Sequence, residues 1–380
     1  MKKVLAVTSS RADYFLLRGL LTKLNMLKDF ELEIVVTGSH LLKKHGYTVQ
    51  EIKKDFKKLH IIRMLSSQTD LDGIQKNLPY YLKNFLNIFN KSKPDLVILL
   101  GDRYEIFLAA IACLFNAVSI AHIHGGEVTH GAIDDHMRHS ITKMSNIHFV
   151  SNNQYKTRVA QLGEEMKNIY TVGPMVIDNL IDINFLTKSE LCKLLDIDKL
   201  DLFFLITLHP ETYGMKNNLR NLKELLKALQ KFSDFTCIFT APNVDHEANI
   251  IREEINKYVS NNPNAYLFAS LGSSIYLSLM KHSSCVIGNS SSGIIEAPLL
   301  GAMSVNIGIR QAGRVMSKTT LTCPFNSETI FSNIRDALDQ KGKNKFHKLT
   351  AKDSPSNKII KILQKIDLPF KTFKKFNDIK

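Results

Sequence analysis

An α/β protein of two Rossmann-like domains, each built on a parallel sheet, is what this sequence predicts. Three observations carry that reading. Short apolar runs alternate with amphipathic stretches from one end to the other. The runs are apolar throughout rather than at every second position, as strands buried on both faces are. At 380 residues the chain exceeds one ordinary core and suits two domains. Right-handed winding of such a β–α series gives open sheets covered by helices.

In chain order, the first half predicts strands at VLAVT (4–8), LEIVVT (32–37), LHIIRM (59–64), DLVILL (95–100), AVSIAH (117–122) and IHFV (147–150). Between them lie helical stretches at FLLRGLLTKLN (15–25), residues 74–92, YEIFLAAIACLF (104–115) and a helix beginning near Asp134. The second half repeats the pattern. Strands are expected at FFLITL (203–208), FTCIFT (235–240), AYLF (265–268), CVIG (285–288) and MSVNI (303–307). The helices there are NLKELLKALQKF (221–232), HEANIIREEINKYV (246–259), SIYLSLMKH (274–282) and GIIEAPLLG (293–301). A break near Val172-Gly173-Pro174, with LTKSELCKLLDIDK (186–199) as a connecting helix region, divides the chain into residues 1–173, 174–365 and a basic tail, 366–380. The amphipathic helix that precedes the tail either closes the second domain or crosses back to the first.

Composition narrows the class. Hydrophobic content of 44% and charged content of 23% are those of a soluble globular protein. The opening MKKVLAV has no adequate apolar core for a signal peptide, and no run approaches a membrane span. Five scattered cysteines without C-x-x-C spacing read as reduced thiols, so a cytoplasmic protein without a membrane partner is expected. The net charge of +14 suits an anionic ligand. Nucleic acid is the less favoured partner, because the excess is lysine spread over helix faces.

In open α/β sheets, ligands bind beyond the carboxyl ends of the strands. That rule selects six loops: Ser9-Ser10-Arg11, Gly101-Asp102-Arg103, His122 to Glu127, His209 to Thr212, Ala241-Pro242-Asn243 and Gly288 to Gly293. GNSSSG can cradle a phosphate with backbone N–H groups at a helix start, or it can be an ordinary N-cap turn. Glu296 can take a ribose diol or favour the helix dipole. Arg11, Arg310 and Arg314 can hold an anion or form surface ion pairs, Arg11 with Asp13 or Glu31. Asp102 is placed for acid/base work, or it caps the helix at YEIFLAA.

Residues 122–139 hold five of the 13 histidines together with Glu127, Asp134 and Asp135. His122 and His124 point to opposite faces of a strand. A zinc site would need three or four converging ligands, and no H-E-x-x-H or cysteine partner accompanies them. The alternative is a strand-end pair followed by a helix that Asp134 and Asp135 cap and begin.

Taken together, ten segments in order resemble the hydrolysing UDP-N-acetylglucosamine 2-epimerases, in particular the sialic- and legionaminic-acid branch. They are TSSRADY (8–14), VTGSH (36–40), LLGDRYE (99–105), AHIHGGE (121–127), GAIDDHMRHSITKMS (131–145), LGEE (162–165), HPET (209–212), APN (241–243), GNSSSGIIEAP (288–298) and NIGIRQAGR (306–314). The resemblance spans roughly residues 3–365. It implies a glycosyltransferase-B-like fold with the active site in the interdomain cleft. By that likeness Arg11, Arg103, His209, Asn243, Ser290, Ser291, Gly293, Glu296 and Arg310 hold UDP, with the two serines on the diphosphate and Glu296 on the ribose. Asp102 and Asp134 match the family's catalytic acids. Glu127 belongs to its GGE segment, with Gly125 and Gly126 giving room for the sugar, and His209 joins the catalytic set. His124 stands where several relatives carry glutamate.

The implied chemistry is loss of the sugar C2 proton as UDP leaves C1, giving a 2-acetamidoglucal, followed by addition of water. UDP-N-acetylglucosamine would yield N-acetylmannosamine and UDP, for sialic acid and surface polysaccharide. The C2 hydrogen is acidified only by positive charge developing at C1, so the cationic groups must stabilise the leaving diphosphate while a carboxylate takes the proton. No metal and no nicotinamide cofactor is required, and a homodimer is implied. The alternatives are the same reaction on UDP-2,4-diacetamido-2,4,6-trideoxyglucose, a glycosyltransferase of the same fold, or a non-catalytic UDP-sugar sensor.

Overall fold

Alternate residues of the first strand feed two separate cores, and this sets the layering of the first unit. The computed structural model describes residues 1–43, 46–65, 71–129, 133–210, 217–241, 246–343, 348–370 and 374–378. The chain divides into two units: residues 1–128, 132–182 and 350–380 form one, residues 129–131 and 183–349 the other.

In the first unit the order is β1 (Lys2–Thr8), α1 (Arg11–Met26), β2 (Phe30–Val36), α2 (Val49–Asp55), β3 (Leu59–Ile61), α3 (Leu71–Ser92), β4 (Leu96–Leu100) and α4 (Tyr104–Phe115). There follow β5 (Ser119–Ile123), α5 (Ile133–Met144), β6 (Ile147–Val150), α6 (Asn153–Gln161), β7 (Ile169–Thr171) and α7 (Val176–Asp182). The seven strands form one sheet in the order β3-β2-β1-β4-β5-β6-β7, parallel throughout. Val4 and Ala6 join Leu17, Leu20, Leu21 and Leu24 of α1 on one face. Leu5 and Val7 join Tyr81, Phe85 and Phe89 of α3 on the other. The i, i+4 spacing of those three aromatics keeps them on one side of the helix. Truncating fully buried Phe85 to alanine would cost about 3–5 kcal/mol.

The second unit begins with α8 (Lys188–Leu195) and alternates β8 (Phe203–Thr207), α9 (Asn218–Leu229), β9 (Thr236–Thr240), α10 (His246–Ser260), β10 (Ala265–Phe268), α11 (Gly272–His282) and β11 (Cys285–Gly288). It ends with α12 (Glu296–Leu299), β12 (Ser304–Ile307), β13 (Thr320–Cys323) and α13 (Ser327–Gln340). Its sheet order is β10-β9-β8-β11-β12-β13, again parallel. Both units therefore carry a doubly wound sheet whose strand order reverses beside the first strand, between β1 and β4 and between β8 and β11. Ligand crevices form at such switch points.

The division differs from the one read in the sequence. The chain leaves the first unit after Asp182 rather than after residue 173, and residues 350–380 return to it. The last helix, α14 (Pro355–Lys365), lays Ile359, Ile360 and Leu363 into the core beside α1. Buried Asp178 of α7 fastens that return, accepting from Ser354 Oγ and from the Ser356 backbone N–H at 3.0 Å. The helix expected at residues 293–301 is instead a 3₁₀ turn, Ser291–Gly293, and the one-turn α12. Pro298 lacks an N–H to donate within the run, and Gly301 at φ +71° ends it. The α2, α6, β7, α7, β13 and α13 elements lie outside the sequence assignments. Among the described residues no helix is long and apolar enough to cross a membrane.

Candidate active site

In the first unit, the loops after β1 and β4 meet at the switch point. Ser10 caps α1 and forms a capping box with Asp13. The Asp13 carboxylate does not pair with Arg11. It accepts from Thr8 Oγ1 at 2.6 Å, the Ser9 N–H at 2.9 Å and the Ser10 N–H at 3.0 Å. Burial raises the Asp13 carboxyl, but hydrogen bonds from the His40 ring, Thr8 and Ser9 more than offset it and hold it below the usual range. Asp13 thus fixes the loop, and Arg11, the first residue of the helix, is left exposed.

Asp102 is not the cap of α4. That position belongs to Arg103, which makes no side-chain capping bond. The Asp102 carboxylate instead accepts from the Arg138 guanidinium. Burial raises the Asp102 carboxyl; Arg138 opposes the shift, and Asp134 and Glu127 add to it. Asp134 lies in the first turn of α5, one helical turn before Arg138; the N-cap position of this helix lies outside the described residues. Arg103 is tied to buried Glu105 at 3.2 Å. The glycine in VTGSH is explained by the Ser9 carbonyl and by Glu105: Gly38 has φ +59°, and a Cβ there would lie 2.5 Å from the Ser9 oxygen and 2.8 Å from Glu105 Oε1.

His122 is buried with both ring nitrogens engaged, Nε2 to the Gly101 carbonyl at 2.8 Å and Nδ1 to Thr142 Oγ1 at 3.0 Å. A carbonyl only accepts, so Nε2 carries the proton and Nδ1 takes the threonine hydroxyl. Burial pushes the ring's pKa down to about 3, so it stays neutral. Its task is to hold the backbone next to Asp102. His124 takes a left-handed φ of +65°, a conformation uncommon outside glycine. Its Nε2 accepts from the Met175 N–H at 3.2 Å, while Nδ1 lies 3.6 Å from Glu127 Oε1. Glu127 also accepts from Ser151 Oγ at 3.1 Å.

The two glycines of GGE leave room for neighbouring protein groups. A Cβ on Gly125 would lie 2.9 Å from Thr142 Oγ1 and 3.0 Å from His122 Nδ1. One on Gly126 would lie 2.7 Å from the Tyr155 carbonyl of α6. Among the described residues no three His, Cys, Asp or Glu side chains group as metal ligands do; His130 lies outside those residues.

In the second unit, Asn289 organises the loops after β8, β11 and β12. Its side chain receives the His209 N–H and donates to the His209 carbonyl, both at 2.8 Å. Its own carbonyl accepts from Arg310 at 3.1 Å and from Gln311 at 2.8 Å. Burial, helped by Arg310, lowers the His209 pKa to about 4. Ser290 Oγ caps the 3₁₀ turn and lies 2.9 Å from Ser292 Oγ, which meets the Tyr276 hydroxyl at 2.7 Å. The N–H groups of Ser290 and Ser291 make no hydrogen bond among the described residues. Only a 3₁₀ turn stands behind these amides, so no long helix dipole adds to the field they and Arg310 create. A Cβ on Gly293 would meet nothing nearer than Val286 at 3.8 Å.

Burial raises the Glu296 carboxyl to about 7, and its Oε2 is enclosed without a partner among the described residues. Asn306, Gln311 Oε1 and Arg314 Nε share that condition. Unpaired buried polar atoms are costly, and a polar ligand is one way to satisfy them. Asn243 lies outside the described residues.

Sequence reasoning missed Arg138, Asn289, Gln311 and Tyr276 as site residues. Arg138 was within reach, because it falls four residues after Asp134 and so on the same helix face. Tyr276 sits within α11 and carries no local signal.

The sequence profile of the UDP-N-acetylglucosamine 2-epimerase family matches residues 22–364. A GDP/UDP-N,N'-diacetylbacillosamine 2-epimerase (hydrolyzing) of Campylobacter jejuni is 40% identical over 358 residues, 94% of this chain and 89% of that protein. The polysialic acid biosynthesis protein P7 of Escherichia coli is 36% identical over 345 residues, 90% of this chain and 87% of its own. The structure of the Neisseria meningitidis UDP-GlcNAc 2-epimerase bound to UDP-GlcNAc superposes with a TM-score of 0.78 at 14% identity, covering 96% of this chain and 100% of that one. Its likeness supports the glycosyltransferase-B-like fold class. On the profile and the 40% relative, this chain belongs to the hydrolysing UDP-N-acetylglucosamine 2-epimerase family.

Proposed function

We propose that this enzyme converts UDP-N-acetylglucosamine and water to N-acetylmannosamine and UDP, through 2-acetamidoglucal. The observation that carries the reading is the partly buried Asp102 carboxylate, bonded to Arg138 of the helix that bears Asp134. Burial makes Asp102 a stronger base than an exposed carboxylate, and Arg138 works in the opposite direction, favouring its ionised form. Asp102 takes the C2 proton as the C1–O bond to UDP breaks. The Ser290 and Ser291 amides and Arg310 receive the charge that builds on the diphosphate. Water then adds at C1 as a proton returns to C2 from the opposite face; Asp134, Glu127 and His124 form the group available for that step. Glu296 holds the ribose, and Arg11, Arg103 and His209 complete the UDP contacts. On this reading the enzyme works as a cytoplasmic homodimer that supplies an amino sugar for nonulosonic acids.

A second substrate is favoured by one feature. A cavity of about 200 Å³ in the first unit sets Leu42, Met64 and Ile74 around Asp134 and the Arg103–Glu105 pair. Apolar walls suit a methyl or a second acetamido group better than hydroxyls. This matches a 2,4-diacetamido-2,4,6-trideoxy sugar, the substrate type named for the 40% relative. Both UDP-sugars are supplied to the purified protein, with UDP release and the free sugar followed by NMR in deuterated water. Deuterium at C2 of the product is expected. Failure to release UDP from either sugar would falsify the reading, and the ratio of kcat/KM values ranks the two substrates.

A further inference from the structure

The segment LGEE, residues 162–165, has no place in the reaction just described, yet the end of the chain is folded onto it. Glu164 is buried and bonded from three directions. Its carboxylate accepts from His148 Nε2 at 2.9 Å, from Lys143 Nζ at 3.0 Å and from Lys374 Nζ at 2.7 Å. His148 stands opposite His122 in the β5–β6 register. Lys143 is in the last turn of α5. Lys374 comes from the tail, and its ammonium also reaches the carbonyls of Thr142 at 3.4 Å, Ser145 at 2.7 Å and Lys143.

Those carbonyls belong to the end of α5, where no further turn exists to receive them. The last carbonyls of a helix are unsatisfied and carry its negative pole. An ammonium placed on them, with its counter-charge supplied by Glu164, fastens that end. Two further contacts hold the strap. The Asn377 N–H donates to the Gly163 carbonyl at 2.9 Å. The Phe376 ring lies against Gly163, with Lys143 Nζ 4.4 Å from its centroid. Gly163 has φ +83°, and a Cβ there would come within 2.5 Å of the ring.

The opposite end of α5 carries Asp134 in its first turn and Arg138 one turn on, bonded to Asp102. A helix of 12 residues is a rod of about 18 Å, so fixing one end limits the tilt and slide of the other. We propose that residues 374–378 form a clasp that sets α5 in register, with Lys374 a positioning residue for Asp134 and the Asp102–Arg138 pair. The inference rests on the catalytic role proposed for those carboxylates. A displacement of about 1 Å at reacting groups can cost roughly a hundredfold in rate.

The test compares Lys374→Met, Lys374→Arg and the exposed neighbour Lys375→Met in the full-length chain. In Lys374→Met, kcat is expected to fall roughly ten- to a hundredfold with KM for the UDP-sugar within about twofold. Lys374→Arg is expected to restore most of the rate, because it keeps a cation on the same carbonyls, and Lys375→Met to match the wild type. Amide exchange read in parallel should speed up through residues 133–138 in Lys374→Met and recover in Lys374→Arg. Faster exchange confined to residues 142–145, or a Lys374→Met enzyme with wild-type kcat, overturns the proposal. Should the wild type itself turn over no UDP-sugar, the functional reading fails on its own. The exchange pattern then still decides whether Lys374 fixes the far end of α5.

Discussion

Arg138 donates its guanidinium to the Asp102 carboxylate from the helix turn that follows Asp134, so β4 and α5 are joined by one charged bond at the strand ends. Burial drives the Asp102 carboxyl upward, and Arg138 is the main force against it. Replacing Arg138 by methionine removes that restraint, leaving Asp134 and Glu127 to push the same way as burial. The ionised fraction of Asp102 at neutral pH must then fall. The ascending limb of kcat/KM against pH is expected to move to higher pH in Arg138→Met, with a tenfold loss of rate per unit on its acid side. Asp102→Asn is expected to abolish that limb and most turnover while leaving UDP affinity near normal. A profile unmoved in Arg138→Met would remove Asp102 from the role of base.

Glu296 gives a second pH signature, in binding. Burial raises its carboxyl to about 7, and a ribose diol donates to the ionised form. Nucleotide binding should therefore strengthen as pH rises through about 7 and weaken up to tenfold per unit below it. The measurement uses UDP-N-acetylglucosamine with the Asp102→Asn protein, because a phosphodiester does not titrate in this range. In the background of Asp102→Asn, Glu296→Gln should bind with little dependence on pH from 5.5 to 8.5. A dependence that survives the substitution belongs to another group.

The doubly wound fold was legible because its strands are buried on both faces and leave an uninterrupted apolar signature. YEIFLAAIACLF marks the bounds of α4 for the same reason: Ile106, Ala109, Ala110 and Cys113 face a core. The loops were legible too, since strand ends select them by topology alone. What the sequence hides is pairing across distance. Nothing local says that Arg138 bonds Asp102, 36 residues away, or that Tyr276 supports Ser292. Periodicity misleads at GIIEAPLLG, where the apolar spacing is helical but Pro298 cannot donate to the ladder. It is also silent at β7 and β13, two sheet-edge strands of three and four residues.

At the far side of the first unit, Glu33 predicts an acid-linked loss of stability. Burial raises its carboxyl, but Lys3 at 2.9 Å, His60 at 2.8 Å and Ser92 at 2.7 Å more than offset this, and it falls from 4.5 to about 2. A depressed carboxyl stabilises the fold fully above its unfolded pKa and loses that contribution as pH drops through the folded one. The window here is from about pH 4.5 down to about 2, with a contribution on the order of 3 kcal/mol. Urea unfolding of Glu33→Gln should show lower stability at pH 7 and a smaller further loss between pH 5 and 3 than the wild type. Equal pH slopes for the two proteins would assign the acid sensitivity elsewhere.

The glycines of the two loops should respond oppositely to one methyl group. At Gly125, a Cβ would press on Thr142 Oγ1 at 2.9 Å and His122 Nδ1 at 3.0 Å. It would part the bridge that keeps the His122 ring on the Gly101 carbonyl, beside Asp102. Gly125→Ala is expected to cost about 1–3 kcal/mol, as overpacking does, seen as a lower Tm, and to reduce kcat because the backbone next to Asp102 loosens. At Gly293 the nearest atom to a new Cβ is 3.8 Å away, so Gly293→Ala should leave Tm unchanged. If the space over the 3₁₀ turn belongs to the diphosphate, that methyl intrudes on the ligand alone, and Kd for UDP rises while the fold does not notice. A Gly293→Ala protein that unfolds early would place the constraint in packing, and one that binds UDP normally would move the diphosphate away from this turn.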